Sequence, residues 1–83
     1  MKVRLHPHAR VRLQERGATQ EEVIATIERG ERFAAKHGRT GFRCNFAFDG
    51  EWHNRRYSTK QVEAYAVEEA DGWLAITVVV KFF

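Results

Sequence analysis

The apolar residues of this 83-residue chain change their spacing once, and that change constrains the fold more than any single motif. Over residues 5–27 they recur at helical intervals, and from Phe42 onward they alternate. Pro7 suits the first turn of a helix, where its missing N–H costs nothing, and Gly17 suits the stop. The spacing therefore predicts a first helix over Pro7–Arg16. On a helical wheel Leu5, Ala9 and Leu13 share one arc. Arg16 falls inside that arc, Arg12 flanks it, and His8 lies further out on the same side. Arg10 and Gln14 face the opposite way. Thr19-Gln20-Glu21-Glu22 forms a capping box, in which the Thr19 hydroxyl and the Glu22 carboxylate each satisfy an unpaired N–H. Val23, Ile24 and Ile27 then make an apolar stripe, and Gly30 ends the second helix. The short Gly17-Ala18 connection predicts two helices packed as a hairpin.

Alternation takes over in the second half. Phe42, Cys44, Phe46 and Phe48 share one face, with Arg43, Asn45 and Ala47 on the other. Asp49-Gly50 marks a hairpin turn, and residues 51–59 are too polar to show a strand pattern. Over residues 60–67, Val62, Ala64 and Ala66 oppose Gln61, Glu63 and Tyr65. Asp71-Gly72 marks another turn. Residues 73–83 are apolar on both faces apart from Thr77 and Lys81, as in a strand with neighbours on both sides. The expected architecture is a single α+β domain over residues 1–83. Two N-terminal helices would pack on one face of a three- to four-stranded antiparallel sheet, leaving the other face free to bind.

Composition narrows the functions. Cys44 is alone, which excludes a disulfide within the chain and a cysteine-based zinc site. His6 and His8 have no second ligand pair nearby, so no metal or cofactor is expected. No glycine-rich loop follows a strand, and Ser58, the only serine, lacks the context of a nucleophile. Nothing resembles a signal peptide or reaches membrane-spanning length, which predicts a cytoplasmic protein without a membrane partner. The net charge of +3 is unevenly spread. Residues 1–16 carry five Lys/Arg against one acid and residues 32–60 seven against two, whereas residues 17–31 and 61–83 each carry one against four. Folding can join the two basic blocks into a polyanion-binding patch or neutralise them against the acidic blocks.

Residues 8–23, HARVRLQERGATQEEV, contain His-Ala-x-x-Arg-x-x-x-Arg-Gly followed by a capped acidic helix. This resembles the N-terminal signature of a small bacterial domain-of-unknown-function family. RYSTKQVEAYAVEE and DGWLAITVVVKFF resemble the downstream strands of its cyanobacterial-type members. More remotely, the element order resembles the RelE/ParE-like toxin superfamily and the wider microbial RNase fold. That resemblance implies a small metal-independent endoribonuclease or translation-targeting toxin, with RNA as substrate and an antitoxin protein as partner. The alternative is a non-catalytic module that binds nucleic acid or protein through the same basic face.

Metal-free RNA cleavage needs a base, an acid and cations around the phosphorane-like transition state. The expected catalytic group is His8, with Arg12 to hold a phosphate and Lys60 beside a strand. Arg43, Arg55, Arg56, Tyr57 and Lys81 are the expected nucleic-acid contacts. Arg16, inside the apolar arc, reads as structural, with its head paired to Glu21, Glu22 or a sheet carboxylate.

Overall fold

The computed structural model describes residues 2–83. Strand β1 (Lys2–Leu5) leads into helices α1 (Pro7–Arg16) and α2 (Gln20–Arg29), followed by strands β2 (Glu31–Ala34), β3 (Thr40–Trp52), β4 (Arg55–Glu69) and β5 (Gly72–Phe82). The helix ends follow local chemistry. The His6 imidazole accepts from the His8 N–H at 3.1 Å to open α1, and Gly17 closes it in the left-handed conformation with φ 79°. At α2, Thr19 Oγ1 accepts from the Glu22 N–H at 3.1 Å, and the Glu22 carboxylate accepts from the Thr19 N–H at 2.9 Å.

The sheet corrects the expected architecture. It has five strands in the order β1-β5-β4-β3-β2, and it is mixed rather than antiparallel, because β1 pairs with β5 in parallel. From β1 at one edge the chain thus crosses the sheet through both helices and resumes with β2 at the opposite edge. The three- to four-stranded antiparallel sheet behind two leading helices does not describe this molecule. Both unexpected strands are four residues long, too short to establish a period, and each is held by its neighbour. The helices also do not form the expected packed hairpin. α1 lies on β5 and β1, α2 lies on β4 and β3, and each finds its main partner in the sheet.

One face of the sheet makes the core. Phe42, Val62, Ala64, Ala66, Trp73, Ala75 and Val78 pack there against Leu5, Ala9, Leu13, Val23 and Ile27. Ala64, Ala66 and Ala75 are fully buried, and their small side chains let the helix backbones come close. The register places Arg43 opposite Glu63, Gln61 opposite Lys81, and Tyr65 opposite Thr77. These residues alternate with the core set and therefore line the face that no helix covers.

The β3–β4 ribbon is longer than the sequence pattern implied. Asp49-Gly50 is not a turn: the register shifts between Ala47 and Gly50, with Asp49 at φ 44°, so this is a β-bulge. The chain reverses at His53 and Asn54, both at positive φ, and the polar residues after Gly50 are paired strand. Trp52 brings the ribbon tip back to the helices. Its indole stacks on Phe82 with centroids 5.2 Å apart and lies against Gly17.

Candidate functional site

The uncovered face gathers three polar side chains around one buried carboxylate. Glu63 is only 5% exposed, yet it belongs to the face without helices. Its Oε2 accepts from Arg43 Nε at 2.9 Å and lies 3.8 Å from Lys81 Nζ, while its Oε1 accepts from the Tyr65 hydroxyl at 3.1 Å. Arg43 also donates to Glu31 Oε1 at 3.1 Å. Burial alone would raise the Glu63 carboxyl pKa. The hydrogen bonds from Arg43 and Tyr65, with the Lys81 and Arg43 charges, outweigh it and hold the group below the usual carboxylate range. Burial pushes the Tyr65 phenol up, and its bond to Glu63 adds to the shift, so it remains a donor. Glu63 is therefore a fixed counter-ion and a weak base.

This arrangement makes stability depend on pH in a defined direction. A carboxylate whose folded pKa is depressed contributes stability above the ordinary carboxylate range and loses it as pH falls through the lower folded value. Urea unfolding across acidic pH should show that loss, and Glu63→Gln should flatten the acid limb while lowering stability near neutrality. An unchanged acid limb in the variant would place the dependence elsewhere.

Beside this cluster lies a shallow groove of about 490 Å³. Phe33, Tyr65, Thr77 and Val79 line its floor, and Lys36, His37 and Arg39 contribute from the β2–β3 loop. Phe33 and Tyr65 meet edge to face with centroids 5.9 Å apart, and the Arg43 guanidinium lies 4.4 Å from the Phe33 ring centroid. Gly41 makes room for this, because a Cβ there would enter the Phe33 ring. The groove thus joins two aromatic rings to a cationic rim, a combination suited to a flat ring carrying negative charge.

The structure divides the expected site residues among four places. Arg43 and Lys81 meet at Glu63. Arg55, Arg56 and Tyr57 sit at the ribbon tip, where the Arg55 guanidinium lies 5.8 Å from the Tyr57 ring and Arg56 donates to the Asp49 carbonyl at 3.2 Å. His8 and Arg12 lie on α1, across the sheet from Arg43 and Lys81. Arg12 pairs with Glu15 at 3.2 Å, and the His8 ring stacks on His6 at 5.1 Å. Lys60 is 6% exposed, donating to the Gly17 carbonyl at 2.8 Å and to Glu22 Oε1 at 3.0 Å. His8, Arg12 and Lys60 therefore do not converge. Lys60 sits at the Gly17 end of α1, and His8 at the other end, about 13 Å along the helix. Arg16 is structural as expected but binds no carboxylate: it donates to the Val78 carbonyl at 2.8 Å.

Glu63, Tyr65, Phe33, Lys36, His37 and Arg39 were not singled out as site residues by the sequence. Among the described residues no cluster of His, Cys, Asp and Glu could hold a metal, and no helix is long and apolar enough to cross a membrane. No protein-family model, curated protein or solved structure matches the chain.

Proposed function

We propose that this chain binds single-stranded RNA across the uncovered sheet face. The observation that carries the reading is the groove in which Phe33 and Tyr65 lie beside Lys36, Arg39 and Arg43. Single strands are held by stacking bases on aromatic rings while cations follow the phosphates. Phe33 and Tyr65 supply the rings, and Lys36, Arg39, Arg43 and Lys81 supply the charge. Binding is favoured over cleavage because the carboxylate at the centre is held ionised by its partners. His8, the expected acid–base group, lies on the far side of the sheet.

Fluorescence anisotropy with a labelled single-stranded RNA, titrated over a range of salt, tests this. Phe33→Ala should weaken binding by about 1–3 kcal/mol, the usual worth of one stacked base. Lys36→Ala with Arg39→Ala should reduce the salt slope by about 1.4, or about 0.7 for each phosphate that is no longer neutralised. Binding unchanged in both variants would remove the groove from the interface. The same samples read out cleavage. RNA cut by the wild type and spared by His8→Ala would replace this reading with the endoribonuclease one, and growth arrest on expression would extend it to a toxin.

A further inference from the structure

At the edge of the sheet the groove meets a second pocket. β2 has no strand on its outer side, and its residues Phe33 and Ala34 line both the groove and a pocket of about 350 Å³. Arg32, Thr40, Glu68 and Trp73 complete that pocket. It lies on the side of the sheet that carries the helices, because Arg32 pairs with Phe42 and Glu68 with Trp73, both members of the core. The Arg32 guanidinium reaches from β2 to within 4.9 Å of the Trp73 ring centroid and 5.4 Å of the Phe42 ring centroid. Those two rings meet edge to face at 5.0 Å, so the guanidinium rests in a fixed aromatic corner. Glu68 is exposed and stands opposite Trp73 in the β4–β5 register. Arg32 and Glu68 thus share one pocket and one aromatic neighbour. Among the described residues neither has an ion-pair partner. A fork of donors and a pair of acceptors border the same space without meeting.

We propose that this pocket is a guanine subsite, where Arg32 and Glu68 read the base next to the one stacked in the groove. The inference rests on the reading of the uncovered face as a single-stranded RNA surface, since it is the strand lying in the groove that turns around the β2 edge at Ala34. Bases of single strands are read by hydrogen bonds along their Watson–Crick and Hoogsteen edges. Guanine is the base whose two edges match these two side chains. Its O6 and N7 are adjacent acceptors, the pair that an arginine fork binds bidentately. Its N1–H and N2–H groups are adjacent donors, and a carboxylate, which only accepts, can take one on each oxygen. Adenine and cytosine offer a carboxylate one amino group, and uracil offers it one N–H. A phosphate or another anion would satisfy Arg32 but would be repelled by Glu68, so the paired charges select a neutral group with both characters. The aromatic corner adds orientation. A guanidinium held against Trp73 and Phe42 loses little freedom when its fork is engaged.

The probes are a short uridine oligonucleotide and the same strand carrying one central guanosine, compared by fluorescence anisotropy with the whole chain. The guanosine should tighten binding by about tenfold or more. Inosine in its place lacks the N2 donors, and 7-deazaguanosine lacks the N7 acceptor, so each should lose most of that gain. The variants assign each edge to its side chain. Glu68→Gln leaves one acceptor where the carboxylate had two, and should make the protein indifferent between guanosine and inosine. Arg32→Lys keeps the charge without the fork, and should make it indifferent between guanosine and 7-deazaguanosine. If Arg32→Lys uncovers the core and fails to fold, the base analogues on the unaltered protein still decide. Equal binding of the uridine and guanosine strands would overturn the guanine subsite and leave RNA binding standing. A guanosine preference that survives both inosine and Glu68→Gln would also overturn it, placing the recognition elsewhere. Guanosine monophosphate competing as well as the oligonucleotide would assign the pocket to a free nucleotide instead of a strand. Binding of neither strand would overturn this inference together with the RNA reading on which it rests.

Discussion

Replacing Lys60 by alanine is expected to cost about 3–5 kcal/mol, the usual penalty for breaking a buried ion pair from one side. For a domain whose whole stability is of order 5–15 kcal/mol, that is about a fifth of it or more. The lysine joins three parts of the fold. Its ammonium group bonds the last carbonyl of the α1 stop at Gly17 and the carboxylate of the α2 capping box at Glu22. It also lies 5.1 Å from the Phe48 ring centroid. Alanine leaves the Gly17 carbonyl without that donor, strips Glu22 of its cation, and opens space beneath the ribbon. Lys60→Met with Glu22→Gln should recover much of the loss, because methionine refills the volume and glutamine still closes a capping box. Urea midpoints at constant m-value provide the comparison. A single variant within about 1 kcal/mol of the wild type would show that the pair stabilises no more than a surface contact does.

Gly17→Ala should be comparably damaging, for a different reason. At φ 79° any L side chain is strained by about 1–2 kcal/mol. A Cβ there would also stand 2.8 Å from Cζ3 of Trp52, and such overpacking typically costs about 1–3 kcal/mol more. The combined loss is about 2–5 kcal/mol. The two contributions separate in a double mutant. In a Trp52→Ala background the collision disappears, so Gly17→Ala should cost only its backbone strain. Additive effects of the two substitutions would mean that the indole does not press on this glycine. Near-UV circular dichroism gives a second readout, since a displaced Trp52 loses its stack on Phe82.

Much of the helical half was legible because the signals act locally. Pro7, Gly17, the Thr19–Glu22 box and Gly30 each dictate geometry within a turn of themselves. Strands β1 and β2 were not legible, since Lys2–Leu5 and Glu31–Ala34 are defined by their pairing and not by their composition. The site divides in the same way. Arg43 and Lys81 are expected from the sequence as nucleic-acid contacts on strands. That they meet at Glu63 depends on the registers of β3, β4 and β5, which no single strand contains. Lys60 shows a signal that was present and outweighed. It shares strand parity with Val62 and Ala64, so alternation alone puts it on the buried face, whereas its charge suggested a catalytic role at a phosphate. The Asp49-Gly50 pair looked like a turn because the same conformational freedom serves a bulge.

The parallel pairing of β1 with β5 also sets the order of events in folding. Lys2 lies beside Gly72, and α1 rests chiefly on β5, so β1 and α1 have almost no native surface to settle on until β5, which is made after them, exists. During synthesis β1 and α1 must wait, exposed, while the β3–β4 ribbon closes on its own local turn. Long-range closure of this kind slows folding, because the loop entropy is lost before the native pairings form. Chains halted before residue 72 should therefore be open to proteases across residues 2–16, and protection should arrive in one step once β5 is available.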